Sequence, residues 1–384
     1  MRLAAMAAIL IAIWIVFGAA TGGVFLSARN LYNLSLQVSV VGIMATGMVL
    51  IIVSRHIDLS VGSQIGFIGV AGAMLQTNVF GIGNASTWWL SCLAMVACGM
   101  AIGLLQGALI AYRGIPSFVV TLGGLLFFRN AAYYLNEGKT ISPLDPTFQL
   151  LGGGIDGSIG ATWSWILGVA CAALVASRVL RTRHRRRQYG FAARSLWVDL
   201  GTIATWCAGI AGFVAVMNDY HQPRTNVPMG VPIPVLILIA VGTGMSAMAQ
   251  KHRFGRHIFG YGGSPESAAL AGVDTRLLVL KLFVLMGFLC GLASIVVTAR
   301  LNAAASVTGT MTELNVIAAA VIGGTSLAGG VGTIAGGLLG ALIMQSLESG
   351  MILVGVSTPL QKMILAAVLI LAVWLDMAFR RARP

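Results

Sequence analysis

Few residues in this sequence could do chemistry, and nearly all of them stand inside apolar stretches. Asp58, Arg129 with its neighbour Asn130, Glu313, Asn315, Gln345 and Glu348 interrupt runs built mostly from Ala, Gly, Ile, Leu, Met, Phe and Val. A charge at membrane depth costs roughly 2.5–3.5 kcal/mol on insertion scales, so such groups are functional candidates by default. Small hydroxyl residues stand near them: Ser60 and Ser63 after Asp58, Thr325 and Ser326 after Glu313 and Asn315. Asp58, Ser60, Ser63, Arg129, Glu313, Asn315, Thr325 and Ser326 are therefore the candidates for lining a polar path. Each has a structural alternative. Asp58 follows Arg55 and His56 at a span boundary, which reads first as a boundary ion pair. Glu313, Asn315, Gln345 and Glu348 can also serve as helix-to-helix hydrogen-bonding groups.

Catalytic patterns are missing. The run Gly330-Val331-Gly332-Thr333-Ile334-Ala335 has the spacing of a dinucleotide fingerprint but lacks the strand and βαβ context that fingerprint needs. Its better use is close helix packing by Gly332, Gly336 and Gly340 at four-residue spacing. Gly138-Lys139-Thr140 ends like a phosphate-binding loop, but Tyr133 occupies the required glycine position. The five histidines contain no HExxH pair. The five cysteines (Cys92, Cys98, Cys171, Cys207, Cys290) form no CxxC and lie in apolar stretches, where cysteine behaves as a small hydrophobe. No catalytic residue and no metal site is expected.

The elements that must position these groups follow from composition. The 384 residues are 58% hydrophobic and only 9% charged, against about 25% charged in an ordinary soluble chain. Between Leu59 and Tyr112 there is no Asp, Glu, Lys or Arg at all. One bilayer crossing needs about 20 apolar residues, so that stretch alone holds two. A soluble enzyme, a disordered chain and a secreted disulfide scaffold are excluded. The fold class is all-α and polytopic, with about 10–12 transmembrane or broken helices. Spans are expected at about 3–20, 31–54, 59–76, 87–111, 116–136, 162–180, 198–217, 231–249, 277–298, 330–347 and 359–377. Arg2 before the first of these resembles a signal-peptide start, but the apolar run Leu3–Ala20 is long for that role and reads as a retained span.

The net charge of +13 suits a membrane protein rather than a nucleic-acid partner, because the basic residues cluster in short segments between apolar runs. With the N-terminus inside, Arg55, Arg113, the run Arg178 to Arg194, and Lys251, Arg253, Arg256 and Arg276 all fall on the inner side. Only Arg29, Lys139 and Arg224 fall outside in the loops through residue 230. Lys/Arg bias in short loops sets orientation. The basic tail Arg380-Arg381-Arg383 also belongs inside, which eleven crossings would not allow. The apolar piece 313–324, followed by the turn-like Thr325–Gly330, is the natural extra element: a broken or oblique helix, tolerated only where protein or water surrounds it. Small-residue runs after Asp58 and after Ser326 echo each other, as in an inverted repeat. The largest polar segments are about 137–161, 178–197 and 250–276. In the last, Ser264 can cap a short helix, with Pro265 at its first position, Glu266 in its first turn and Gly272 at its stop. That makes either a compact knob suited to docking or an ordinary solvated loop with a helical turn.

Ile57–Ser63, Pro116–Leu122, residues 254–273 and Val321–Thr333 together resemble the permease subunits of bacterial sugar ABC importers of the ribose/xylose type, in the same order along nearly the whole chain. The Arg-rich insertion with an extra hairpin at about 178–249, and Asn218-Asp219-Tyr220 ahead of Pro232–Leu236, resemble the xylose side of that family. The resemblance implies one permease domain over 1–384, with an Arg-rich cytoplasmic loop at 178–197 and an ATPase-coupling segment at 250–276. Its coupling positions here are Gly255, Ser264, Pro265, Glu266, Ala268, Ala269 and Gly272. It also implies a homodimer in the bacterial inner membrane with cytoplasmic termini. A cytoplasmic ABC ATPase would hold ATP and Mg, and a periplasmic sugar-binding protein would deliver the cargo. The chain itself would need no cofactor and would be no enzyme. The implied cargo is a pentose, D-xylose first, with ribose or another sugar as the alternative and an ion-coupled carrier as the rival. Two departures stand out: relatives often carry Asn where this chain has Ser264, and the leader before the first span is only about two residues.

Overall fold

The computed structural model describes residues 2–84, 86–154, 156–189, 195–222 and 226–381. Arg194, Arg224 and Arg383, which enter the charge pattern, lie outside the described residues. Among those described, every regular element is helical, and extended chain is confined to isolated bridges such as Ile141 with Ala304. The all-α expectation holds. The helices are α1 (Arg2–Ala20), α2 (Ala28–Val53), α3 (Val61–Met74), α4 (Thr87–Arg113), α5 (Ser117–Asn136), α6 (Pro146–Leu150), α7 (Gly160–Gln188), α8 (Leu196–Asp219), α9 (Ile233–Lys251), α10 (Arg253–Gly263), α11 (Pro265–Leu270), α12 (Thr275–Leu301), α13 (Thr312–Ile322), α14 (Ile334–Leu353) and α15 (Thr358–Arg381). Nine of these, among the described residues, are long and apolar enough to cross a membrane. The protein is a multi-pass membrane protein.

The centre of the fold is α2, buried along nearly its whole length from Leu34 to Val53. Apolar residues cover all its faces, as expected for a helix with protein rather than lipid around it. α12 packs against both α2 and α4. The α4–α12 contact is a glycine seam. Gly99, Gly103 and Gly107 recur every four residues on one face of α4 and meet the backbone of Gly287, Phe283 and Leu280. Without side chains between them the two backbones touch, and dispersion and close packing do the work that hydrophobic burial cannot do inside lipid. Gly336 and Gly340 play the same part between α14 and α13, against Gly323 and Ala319. Gly332 precedes α14 and packs on Val53 and Thr325 instead.

Two helices depart from simple spans. α3 begins two residues later than the expected 59–76 span and widens after Met74 into a six-residue π turn, Leu75–Phe80. α13 has only 11 residues, or roughly 16 Å at 1.5 Å per residue, too short to cross alone. Ahead of it, Ser306, Thr308 and Gly309 lie against Gly66 and Gly62 of α3, and α13 follows. This is the short element expected over 313–324. The Arg-rich segment also differs from a loop. α7 continues unbroken to Gln188, because arginine is a good helix former and neither Gly nor Pro interrupts the run before Gly190. Arg183 there pairs with Asp199 of α8 at 2.7 Å.

Candidate functional site

Two groups of residues stand out, one where α3 and α13 begin and one just past the C-terminal end of α2. In the first, the N-terminal ends of α3 and α13 converge. Gly62, in the first turn of α3, lies against the carbonyl of Gly309 and the carboxylate of Glu313, with no room for a Cβ. Ser60 packs on Gly124, which is seven residues into α5 and so roughly 10 Å from its start. Two helix N-termini, each with partial positive charge, therefore meet inside the helix layer, and each has an acidic residue beside it. Asp58 Oδ1 accepts from the Ser60 backbone N–H (2.9 Å) and hydroxyl (2.6 Å). Ser60 Oγ in turn accepts from Gln64 Nε2 at 2.7 Å and Gln106 Nε2 at 2.9 Å. Ser63 donates back to the Ser60 carbonyl at 2.8 Å. Asp58 Oδ2, Gln64 Oε1 and Glu313 Oε2 are buried with no hydrogen-bond partner among the described residues.

The ion pair expected at Asp58 does not form. Arg55 reaches away from it, because backbone carbonyls on α10 offer its planar guanidinium two acceptors. Arg129 finds the Thr310 hydroxyl just before α13.

Beside the N-terminal half of α13, a cavity of 310 Å³ opens between α13, α14 and α15. Its polar wall is a cluster around Glu348, whose Oε2 accepts from Asn315 Nδ2 at 3.3 Å and Gln345 Nε2 at 3.0 Å. Gln361 and Lys362 add donors from α15, while Met311, Leu314 and Leu365 supply apolar walls. Amides, a carboxylate and an ammonium set in an apolar frame suit a small, uncharged, hydroxyl-rich molecule. Asp58, Ser60 and Ser63 thus share one network, Glu313 adjoins it across Gly62, and Asn315 joins Glu348. Thr325 and Ser326 are not part of either group. Both are fully buried in the turn after α13, where Ser326 Oγ accepts from the Ala328 N–H at 3.2 Å.

The second group ties α10 and α11 to the core. Ser264 caps α11 by accepting from the Ser267 N–H at 3.2 Å, Pro265 is its first residue, and Gly272 follows its end at φ +82°. The expected capped helix is present. Gly255 is buried against the end of α9, and Ala268 is buried, while Glu266 and Ala269 are exposed. At its tip Leu270 is 90% exposed. Arg55 then clamps the segment: Nε donates to the Gly262 carbonyl and Nη2 to the Gly263 carbonyl, both at 2.7 Å. Its own backbone is left-handed, φ 64°, a conformation costing roughly 1–2 kcal/mol for a residue with a side chain. The turn before α14 closes the same knot, with Gly330 N–H donating to the Val53 carbonyl at 2.8 Å. Gly262 has no space for a Cβ against that carbonyl and the Gly330 nitrogen. Sequence reasoning missed Arg55, Gln64, Gln106 and Leu270. Only Leu270, an apolar residue on a short capped polar helix, left a visible signal.

The fold is thus a bundle of apolar helices with a short helix, α13, inside it and the capped α11 fastened at one face. The family model described as branched-chain amino acid transport system / permease component matches residues 30–373, and the chain belongs to that family. It is 36% identical over 381 residues to the xylose transport system permease protein of Escherichia coli, covering 98% of this chain and 92% of that one. The corresponding Haemophilus influenzae protein is 37% identical over 368 residues, covering 94% and 92%. The ribose import permease protein of Escherichia coli is 31% identical over 352 residues, covering 92% and 87%. No solved structure matches the chain.

Proposed function

We propose that this chain is the membrane permease of an ATP-driven sugar importer in the bacterial inner membrane, and that its cargo is a pentose, D-xylose. The end-to-end likeness to xylose permeases supports the cargo, and the ribose permease keeps ribose as the alternative. The chain forms one permease domain, works as a homodimer, and takes sugar from a periplasmic binding protein. ATP and Mg act in a separate cytoplasmic ATPase that docks on the knob of the 250–276 segment, at 264–272, so the end of α2 that carries Arg55 and both chain termini face the cytoplasm.

The observation that carries the mechanism is the Arg55 clamp. Gly255 and Ser264–Gly272 form the docking knob, with Leu270 as its exposed apolar tip. A push on that knob moves Gly262 and Gly263, which Arg55 and Gly330 join to the end of α2 and to the turn between α13 and α14. α13 is a short helix with one end in that turn and the other beside Asp58, Glu313 and the Glu348 cavity. It is the element placed to move, and ATP binding shifts the equilibrium only through contacts that differ between its positions. Asp58, Ser60, Ser63, Arg129, Glu313 and Asn315 line or brace the path on this reading. Thr325 and Ser326 shape the hinge turn rather than the lining.

Glu348→Gln should keep the fold and most hydrogen-bond capacity while removing the charged acceptor. Hydrogen bonds to charged groups are worth about 1.5–3 kcal/mol, so xylose uptake should fall roughly 10-fold or more. Binding-protein docking and ATPase assembly should be unchanged. Wild-type uptake rates in proteoliposomes holding the variant would remove this cavity from the path.

A further inference from the structure

An apolar groove of 770 Å³ lies apart from the α13–α15 cavity, on the outside of the bundle between α9 and the α4–α12 pair. Its floor and walls are Met100, Met248, Val284, Leu285 and Phe288, and its mouth carries Lys251, His252 and Lys281. Lys251 ends the apolar helix α9, whose 19 residues span roughly 28 Å, so it sits where hydrocarbon meets headgroup. Lys281 is six residues into α12, roughly 9 Å along it, within a helix otherwise apolar enough to span a bilayer. It is exposed there, and no carboxylate among the described residues lies within 4.0 Å of it or of Lys251. An unpaired ammonium at that depth calls for a partner. His252 adds a further donor: its Nδ1 accepts from the Phe254 N–H at 3.2 Å, which puts the ring proton on Nε2. The Arg256 guanidinium donates to the Lys251 carbonyl at 3.0 Å and reinforces the positive mouth.

We infer that this groove is a binding site for an anionic diacyl phospholipid of the leaflet facing the basic loops, with its phosphate on Lys251, Lys281 and His252 and an acyl chain along Val284, Leu285 and Phe288. The match is in both halves of the ligand. Basic mouths between transmembrane helices on the cytoplasmic side hold anionic headgroups, while a wall without polar atoms holds only hydrocarbon. A soluble phosphate compound would use the first half and leave the second empty. The site does not depend on which sugar is carried.

Native mass spectrometry of the full-length protein, titrated with dioleoylphosphatidylglycerol or dioleoylphosphatidylcholine, tests it. One tight phosphatidylglycerol adduct is expected, preferred over phosphatidylcholine. Attraction of about 1 kcal/mol per lysine means that Lys251→Gln with Lys281→Gln should weaken that adduct about 30-fold. Ala247→Trp, which fills the groove and leaves every charge in place, should weaken it as well. Equal affinity for the two lipids, or an adduct unchanged in both variants, would overturn the assignment. So would displacement of the lipid by free glycerol 3-phosphate.

Discussion

Arg55→Ala is expected to lower ATP-driven uptake about 30-fold while leaving membrane insertion and ATPase co-purification intact. The residue makes two charge-assisted hydrogen bonds, to Gly262 and Gly263, and both go to backbone carbonyls that a truncated side chain leaves unpaired. It holds α10 on the end of α2, so its loss separates the docking knob from the passage without touching the knob itself. Relief of the left-handed backbone at position 55 does not follow from alanine, which also resists that conformation. Arg55→Lys should be intermediate, since a single ammonium cannot repeat the guanidinium fork. The distinguishing readout is the ratio of sugar moved to ATP hydrolysed. A fall in that ratio marks lost coupling, whereas wild-type uptake in Arg55→Ala would mean that force reaches α2 by another route.

Gly287→Leu is expected to abolish the folded protein. A Cβ at Gly287 meets the Gly99 carbonyl across the α4–α12 seam, and neither partner is a side chain that can turn aside. Overpacking of a tight core costs about 1–3 kcal/mol, and here a whole isobutyl group must be housed between two touching backbones. The cost exceeds that range, and α4 and α12 must part. Gly201→Leu is the control, since nothing lies within 4 Å of a Cβ at that position. It should behave as wild type in fluorescence-detected gel filtration, with Gly287→Leu lost from the monodisperse peak. Recovery of both variants in equal yield would contradict the seam.

These two residues also show what could be read before the fold was known. The spans were legible because 9% charge over 384 residues leaves few breaks, and most of them fall at or near helix ends, Arg129, Lys281 and Glu348 being exceptions. The glycine spacing of α14 was legible, yet the same spacing at Gly99, Gly103 and Gly107 was hidden inside a long charge-free stretch with no punctuation to frame it. The capping of α11 was legible because Ser264, Pro265 and Gly272 act on neighbours in sequence. Arg55 was not: its acceptors lie 207 and 208 residues away and are backbone carbonyls, which carry no residue-type signal. Gln106 donates to the Ser60 hydroxyl 46 residues away, a separation that no local spacing reveals. The boundary ion pair at Asp58 failed because adjacency in sequence says nothing of direction. The chain turns at Arg55, so that Arg55 and Asp58 face different helices.

The most direct test of the central claim is ATPase stimulation in proteoliposomes containing this permease, its candidate ATPase and the cognate binding protein, compared with D-xylose, D-ribose and no sugar. Stimulation by D-xylose alone is the predicted result, and it would establish both ATP-driven import and the cargo. Stimulation by ribose alone would overturn the cargo and keep the mechanism. With assembly verified, hydrolysis indifferent to either sugar, together with xylose uptake that survives ATP depletion but collapses with an uncoupler, would contradict the account.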